Sequence, residues 1–218
     1  MTSTLHPADT ERGTAADSAL DDVDSLLIRM FALVSNGLAA ATEAFLDGDR
    51  VAARAVVASD PHVDELQLQV EERVERRLTD GPAAPTEVRL LISMLRIAPE
   101  LERSGDLIEH IALRTPQRLT DGLTARARGL LADMGATASM LWAGAGAAYA
   151  DRDPTRVDQL RLLDDALDDL HVRFTAELVK GSSSIAEAIE LGLIARFYER
   201  LGDHAVNVAR RIRYLTDG

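Results

Sequence analysis

Cysteine is absent from the 218 residues, which excludes a disulfide framework and the thiolate ligands of structural zinc sites. Any metal held here must be bound by oxygen or imidazole. Aromatic residues are scarce at 4%, although 46% of the chain is hydrophobic, so the apolar content is mostly Ala, Leu, Val and Ile. Ala and Leu favour helix, and small Ala side chains let helices approach closely. Strand signals are missing throughout. No apolar stretch of about 18 residues, the length a membrane span needs, stands out, and no transmembrane segment is expected. Positive charge is in deficit, with 24 Lys and Arg against 36 Asp and Glu and a formal net charge of −12. Such a surface repels nucleic acid and anionic lipid headgroups, so neither direct nucleic-acid binding nor direct membrane insertion is expected. Residues 1–18 lack the basic region and apolar run of a secretory signal. They read as a disordered tail, and the protein as cytoplasmic.

What the chain does have is helical periodicity. Leu20, Val23, Leu27, Met30, Val34, Leu38, Ala41 and Phe45 recur at steps of three and four, predicting a long helix over 19–47 that ends at Asp47-Gly48-Asp49. A second helical run over 50–78 is interrupted near Asp60-Pro61, where Pro lacks a donor and restricts the residue before it. After a Pro- and Gly-containing loop, a third helix is predicted from Thr86 as N-cap to about Arg114, with Pro99 expected to kink it. The pattern then restarts. Helices are predicted over 123–150, carrying Leu130, Met134, Leu141, Trp142 and Tyr149, then from Pro154, capped by Asp153, to Val179. The last helix runs over 184–215 after the loop 180–183.

The second half repeats the first. Leu101-Glu102-Arg103-Ser104-Gly105-Asp106 corresponds to Tyr198-Glu199-Arg200-Leu201-Gly202-Asp203, and Asp60-x-x-x-Asp64 to Asp164-x-x-x-Asp168. Asp49 and Asp153 match at the entry to the second helix of each half. The expected architecture is therefore all-α: six helices as two repeated three-helix bundles, spanning 19–116 and 117–218 and related by a pseudo-two-fold.

Each of the four acidic motifs sets two carboxylates four residues apart, one turn apart on one helix face. Two such pairs on antiparallel neighbours bring four carboxylates together, which would repel one another and raise their pKa values. A multivalent cation turns that repulsion into binding, and hard oxygen ligands suit Fe, Mn, Mg or Ca. With 36 acids in 218 residues, any single pair reads as a solvated face. The shared register in both halves, and a Gly before the second acid in each, argue for two metal clusters. One comprises Asp60, Asp64, Glu102 and Asp106; the other comprises Asp164, Asp168, Glu199 and Asp203. Asp60 has a second role open to it as a helix cap before Pro61. Arg103 and Arg200 are placed either to orient these carboxylates or to form surface ion pairs of little energetic worth.

The runs Glu102-Arg103-Ser104-Gly105-Asp106 and Glu199-Arg200-Leu201-Gly202-Asp203-His204-Ala205-Val206-Asn207-Val208-Ala209 resemble the E-R-I-G-D-x-A-x-N-I-A signature of PhoU proteins, accessory regulators of phosphate-specific transport. The first copy departs from it at Ser104 and at His110, which stands where Asn207 stands in the second. The loop Ala83-Ala84-Pro85-Thr86-Glu87-Val88-Arg89 lacks the Gln-Pro core common in that family. The resemblance implies clusters of multivalent metal ions (Fe, Mn, Mg or Zn) and a homodimer. It also implies two partners, a phosphate ABC transporter and a sensor histidine kinase, met at the inner face of the membrane. The implied role is repression of the phosphate-starvation response, with no enzymatic activity. Three alternatives stand beside it. One is a divergent paralogue serving another transporter. Another is a metal-free helical interaction module. The third is a carboxylate-bridged metal enzyme, for which the Glu-x-x-His doublet is missing.

Overall fold

The apolar stripe of the first half becomes the buried face of a long helix. The computed structural model describes residues 7–181 and 184–216. Its helices are α1 (Pro7–Asp47), α2 (Arg50–Ser59), α3 (Pro61–Thr79), α4 (Pro85–Arg114), α5 (Ala125–Ala150), α6 (Arg156–Lys180) and α7 (Ile185–Thr216), with one 3-10 turn at Thr115–Gln117. No strand occurs among the described residues. The break at Asp60-Pro61 divides the second predicted helix into α2 and α3, so the three-plus-three order is built from seven helices.

Each half packs its own three helices against one another. In the first, α1 packs on α3 and α4, and α3 on α4; in the second, α5 packs on α6 and α7, and α6 on α7. The halves meet through like elements, α1 on α5 and α4 on α7, as a pseudo-two-fold requires. Leu27, Met30, Val34, Leu38 and Phe45 of α1 and Leu130, Met134, Leu141, Trp142 and Tyr149 of α5 are buried. At this junction Gly135 of α5 lies against Thr42 and Gly146 against Phe31 of α1, which lets these helices pack closely. Across it, Thr42 donates to the Leu38 carbonyl, 2.8 Å, and the buried Tyr198 hydroxyl donates in turn to Thr42 Oγ1, 2.9 Å.

Four sequence expectations are corrected. Helix α1 begins at Pro7, so 7–18, read as tail, is helical, and Pro at a first helical position matches its fixed φ; 1–6 lie outside the described residues, as do 182–183 of the predicted loop. The helix over residues 20–47 is long and apolar enough to cross a membrane, contrary to the expectation that no such stretch exists. Its apolar face is spent on the core, with Leu27, Met30 and Leu38 at 0% exposure. Helix α4 starts at Pro85, not after a Thr86 cap; the Glu87 carboxylate reaches back to accept from the Ala84 N–H, 3.3 Å, and α4 runs on through Pro99. Helix α6 starts at Arg156, because the Asp153 carboxylate accepts from both the N–H and the hydroxyl of Thr155, at 2.9 and 2.6 Å, and holds a turn there. Ser184-x-x-Glu187 forms a reciprocal capping box at the start of α7, with bonds of 2.8 and 3.2 Å.

The repeat extends to the turns. Asp49 N–H bonds to the Ala44 carbonyl and Asp153 N–H to the Ala148 carbonyl, at 2.9 and 3.0 Å, the six-to-one closure of a Schellman motif. The residue inside each closure is left-handed: Gly48 at φ 68° and Arg152 at φ 52°. Gly adopts that conformation freely, whereas Arg is strained by about 1–2 kcal/mol. A clamp compensates. The Arg152 guanidinium bonds both oxygens of Asp24 at 2.6 and 2.7 Å, lies 4.3 Å over the Tyr149 ring, and Tyr149 donates its hydroxyl to Asp24. Burial pushes the Tyr149 hydroxyl pKa up, so it stays a donor. Asp24→Ala strands these donors and is expected to cost about 2 kcal/mol, lowering Tm by about 4–8 °C. Tyr149→Phe, which removes one hydroxyl only, costs less. A melting curve for Asp24→Ala that coincides with the parent's would show that the clamp contributes nothing.

Candidate metal centres

Two helix pairs position the eight acids. Asp60 lies at the α2–α3 break and Asp64 in the first turn of α3, facing Glu102 and Asp106 of α4. Asp164 and Asp168 of α6 face Glu199 and Asp203 of α7. The helices can approach because a glycine stands opposite an acid in each pair. A Cβ added at Gly105 would lie 3.0 Å from Asp60 Oδ1, and one at Gly202 would lie 2.5 Å from Asp164 Oδ1. Gly inside a helix costs roughly 1 kcal/mol relative to Ala, and here the missing methyl makes room for a carboxylate.

In the first repeat, one oxygen from each of Asp60, Asp64 and Asp106 lies within 4.8 Å of the others. Asp60 makes no side-chain capping bond to α3, so its carboxyl belongs to this group. Burial, then the charges of Glu109, Asp64, Asp106 and Glu102, push its pKa up to about 6. Glu102 is not part of the tight triple. Its pKa is raised by burial and by Asp106 and Asp64, against the opposing charge of Arg103.

The second repeat brings the same positions together differently. Burial and then Asp168, Asp203, Asp165 and Glu199 raise Asp164 to about 6. Asp168 is raised by burial and Asp203, with His171 opposing. Glu199 is raised chiefly by burial, while Arg196 pairs with one of its oxygens. The other oxygen, Oε2, is buried without a hydrogen-bond partner. Among the described residues, no triple as tight as that of Asp60, Asp64 and Asp106 occurs here.

These residues fit a cation. Crowded carboxylates that resist ionisation, with an unpartnered buried oxygen among them, form a donor set that a hard ion would satisfy. All eight candidate ligands are oxygen donors.

Several participants lie outside the repeated motifs. Glu109 lies one turn beyond Asp106 and acts on Asp60; its i, i+3 spacing from Asp106 was the available signal. Arg196, i−3 from Glu199, was equally accessible. Arg103 bonds Glu100 at 3.5 Å and is half exposed, so it is a weak surface pair with a secondary effect on Glu102. His204, 8% exposed, bonds Glu100 through Nδ1 at 2.6 Å. That contact spans the two halves, and no motif announces it.

The geometry matches known proteins. The PhoU domain model matches residues 27–115 and 131–212. The phosphate-specific transport system accessory protein PhoU homolog 2 of Mycobacterium tuberculosis is 31% identical over 211 residues, covering 94% of this chain and 98% of that protein. PhoU homolog 1 of Mycobacterium leprae is 30% identical, covering 94% of each. The crystal structure of PhoU from Pseudomonas aeruginosa superposes with a TM-score of 0.86 at 27% identity, over 93% of this chain and 99% of that one. The phosphate transport system regulatory protein PhoU from Streptococcus pneumoniae, at 22% identity and TM-score 0.83, shares the fold. With both repeats matched and the two acidic helix pairs in register, the chain belongs to the PhoU family.

Proposed function

We propose that this protein is a PhoU-type accessory regulator of phosphate transport. On this reading it binds metal ions at the two carboxylate clusters and acts through protein partners without catalysing a reaction. The observation that carries the reading is the pairing of acids across α3–α4 and α6–α7 in both repeats, each beneath a glycine. Asp60, Asp64, Glu102 and Asp106 hold one metal group; Asp164, Asp168, Glu199 and Asp203 hold the other. When bound, the metal supplies positive charge on an otherwise acidic surface, suited to a carboxylate or phosphate from a partner. The chain's own residues position the donors, through the space left at Gly105 and Gly202, and leave Glu199 Oε2 buried without a protein hydrogen-bond partner. The partners are a phosphate ABC transporter and a sensor histidine kinase, engaged by a homodimer at the cytoplasmic face of the membrane. The output is repression of the phosphate-starvation response when phosphate is plentiful.

A specific observation favours a second reading. PhoU homologs 1 and 2 of Mycobacterium tuberculosis are both 31% identical to this chain, over 208 and 211 residues. Equal likeness to two paralogues fits a divergent member serving another transporter. Deleting the gene decides between them: raised starvation output under phosphate-replete growth supports the first, and unchanged output and uptake support the second.

Two measurements test the metal sites. Protein purified without a histidine tag is expected to retain metal, and Glu199→Gln with Asp203→Asn to lose the share held by the second repeat and to deregulate phosphate-responsive genes. Full retention in that variant would assign the metal elsewhere. The second measurement is pH dependence. Asp60 and Asp164 have folded pKa values of about 6, above the ordinary 3.8. The folded state therefore binds protons more tightly, and stability falls as pH rises through that window. Metal-free protein is expected to melt higher at pH 5 than at pH 7, and metal-loaded protein to lose that advantage because protons compete with the ion. Asp60→Asn with Asp164→Asn should flatten the metal-free profile. A metal-free Tm that rises from pH 5 to pH 7 would contradict the carboxylate crowding.

A further inference from the structure

The register that pairs Glu102 with Glu199 also pairs Glu100 with Phe197, Pro99 with Arg196, Arg96 with Leu193, Asn207 with His110, and Arg211 with Arg114. These positions face each other where α4 and α7 cross, so the pseudo-two-fold creates two equivalent sites at the junction of the halves. They are filled unlike one another. On one side the Phe197 ring packs 5.6 Å from the His110 ring and 5.0 Å beneath the Arg114 guanidinium, which itself bonds Glu190 at 2.8 Å. That side is plugged by an aromatic ring and its cation is paired.

On the other side Glu100 replaces the ring, and a groove of about 760 Å³ opens. Arg96, Arg103, Arg210 and Arg211 line it, with Tyr214 at one end and Leu95 and Pro99 forming an apolar wall. The floor carboxylate is already engaged: Glu100 is bonded by His204 at 2.6 Å, Asn207 at 3.4 Å and Arg103 at 3.5 Å. Arg210 touches only Asn207 Oδ1, 3.1 Å, and neither Arg96 nor Arg211 has an ion-pair partner among the described residues. Four arginines against one committed acid is an excess of positive charge on a chain whose net charge is −12. The guanidinium fork fits phosphate and carboxylate oxygens bidentately. The volume lies within the range of small-molecule sites, roughly 300–1,000 Å³, and is far larger than one orthophosphate needs. An apolar wall and an exposed tyrosine give contacts that a bare inorganic chain cannot use.

We propose that the α4–α7 groove binds an organic phosphate of nucleotide size, its phosphates held by Arg96, Arg210 and Arg211 and its body lying on Leu95, Pro99 and Tyr214. This site is separate from the carboxylate clusters, which occupy the α3–α4 and α6–α7 faces. The proposal stands without the metal reading, because its test is run without metal.

The test is calorimetric titration of the full chain in EDTA with ATP, tripolyphosphate and orthophosphate as probes. ATP is expected to bind with a Kd below about 1 mM, more tightly than tripolyphosphate, with orthophosphate weakest, and more weakly as salt is raised. Arg96→Ala with Arg211→Ala, both outside the core, should lower ATP affinity about tenfold or more while leaving the circular dichroism and Tm intact. Arg73→Ala with Arg126→Ala removes two charges elsewhere and should leave affinity within about twofold. Absence of ATP binding, or an equal loss in the two double variants, overturns the site. Tripolyphosphate binding as tightly as ATP overturns the nucleotide-sized ligand.

Discussion

Close approach of two helices through a glycine is the constraint on which the acidic faces of this protein depend. Without a Cβ at Gly105, α4 comes near enough to α3 for Asp60 Oδ1 to occupy that space, and Gly202 does the same for Asp164 between α7 and α6. The consequence is electrostatic. Carboxylates that would titrate near 3.8 in water are crowded into partial burial and driven to about 6 at Asp60 and Asp164. A metal-free fold must bear that repulsion, and each acidic pair lies over buried apolar side chains. Val63, Leu66, Leu101 and Ile108 lie beneath the first pair, and Leu167, Leu201 and Ala205 beneath the second. Apolar burial stabilises by about 25 cal/mol per Å² and opposes the repulsion of these half-buried carboxylates, so stability and site geometry come from opposite faces of the same helices.

Much of this was legible in the chain. Steps of three and four apolar residues predict the buried faces of α1 and α5 because a helix has one period and the core one side. The eight acids could be placed in two groups because duplication repeats their register, and a repeated register is far less probable by chance than an acidic pair. What escaped was set by contacts between distant segments. Nothing local links Glu100 to His204 or Asp24 to Arg152, and those pairs exist only once the halves are folded together. Helix starts erred for another reason: Asp153 and Pro154 look like a cap and a first helical residue, but the Asp153 side chain closes its own turn on Thr155 instead.

Duplication also shows where the halves have parted. The first acidic group offers a tight triple with Glu109 as an added charge, whereas Arg196 already neutralises part of the second. Equal numbers of ligands therefore do not mean equal sites, because an internal cation competes with an external one for the same oxygen. The turns differ similarly. Gly48 accepts a left-handed conformation by itself, and Arg152 does so under the hold of Asp24 and Tyr149. Of these two differences, only the hold on Arg152 reaches from one half into the other, to Asp24 of α1; Arg196 and Glu199 pair within α7.

The adjacent residues Glu102 and Arg103 show how one helix serves two chemistries. Successive residues on an α-helix point about 100° apart, so one can face α3 while the next faces α7. Glu102 joins the acidic cluster and Arg103 lines the groove beside Glu100. Opposite charges in sequence are thus separated in space, and the acidic chain carries a basic recess without cancelling it. A shared helix does not by itself make the two faces communicate, since coupling requires that a ligand at one site prefer one of two arrangements of the other. At the α4–α7 crossing, Glu100 and His204 bridge the halves on one side and Phe197 packs against His110 on the other. The side chain that touches both the acidic cluster and the groove is Arg103, whose charge acts on Glu102 while its guanidinium bonds Glu100 on the groove floor.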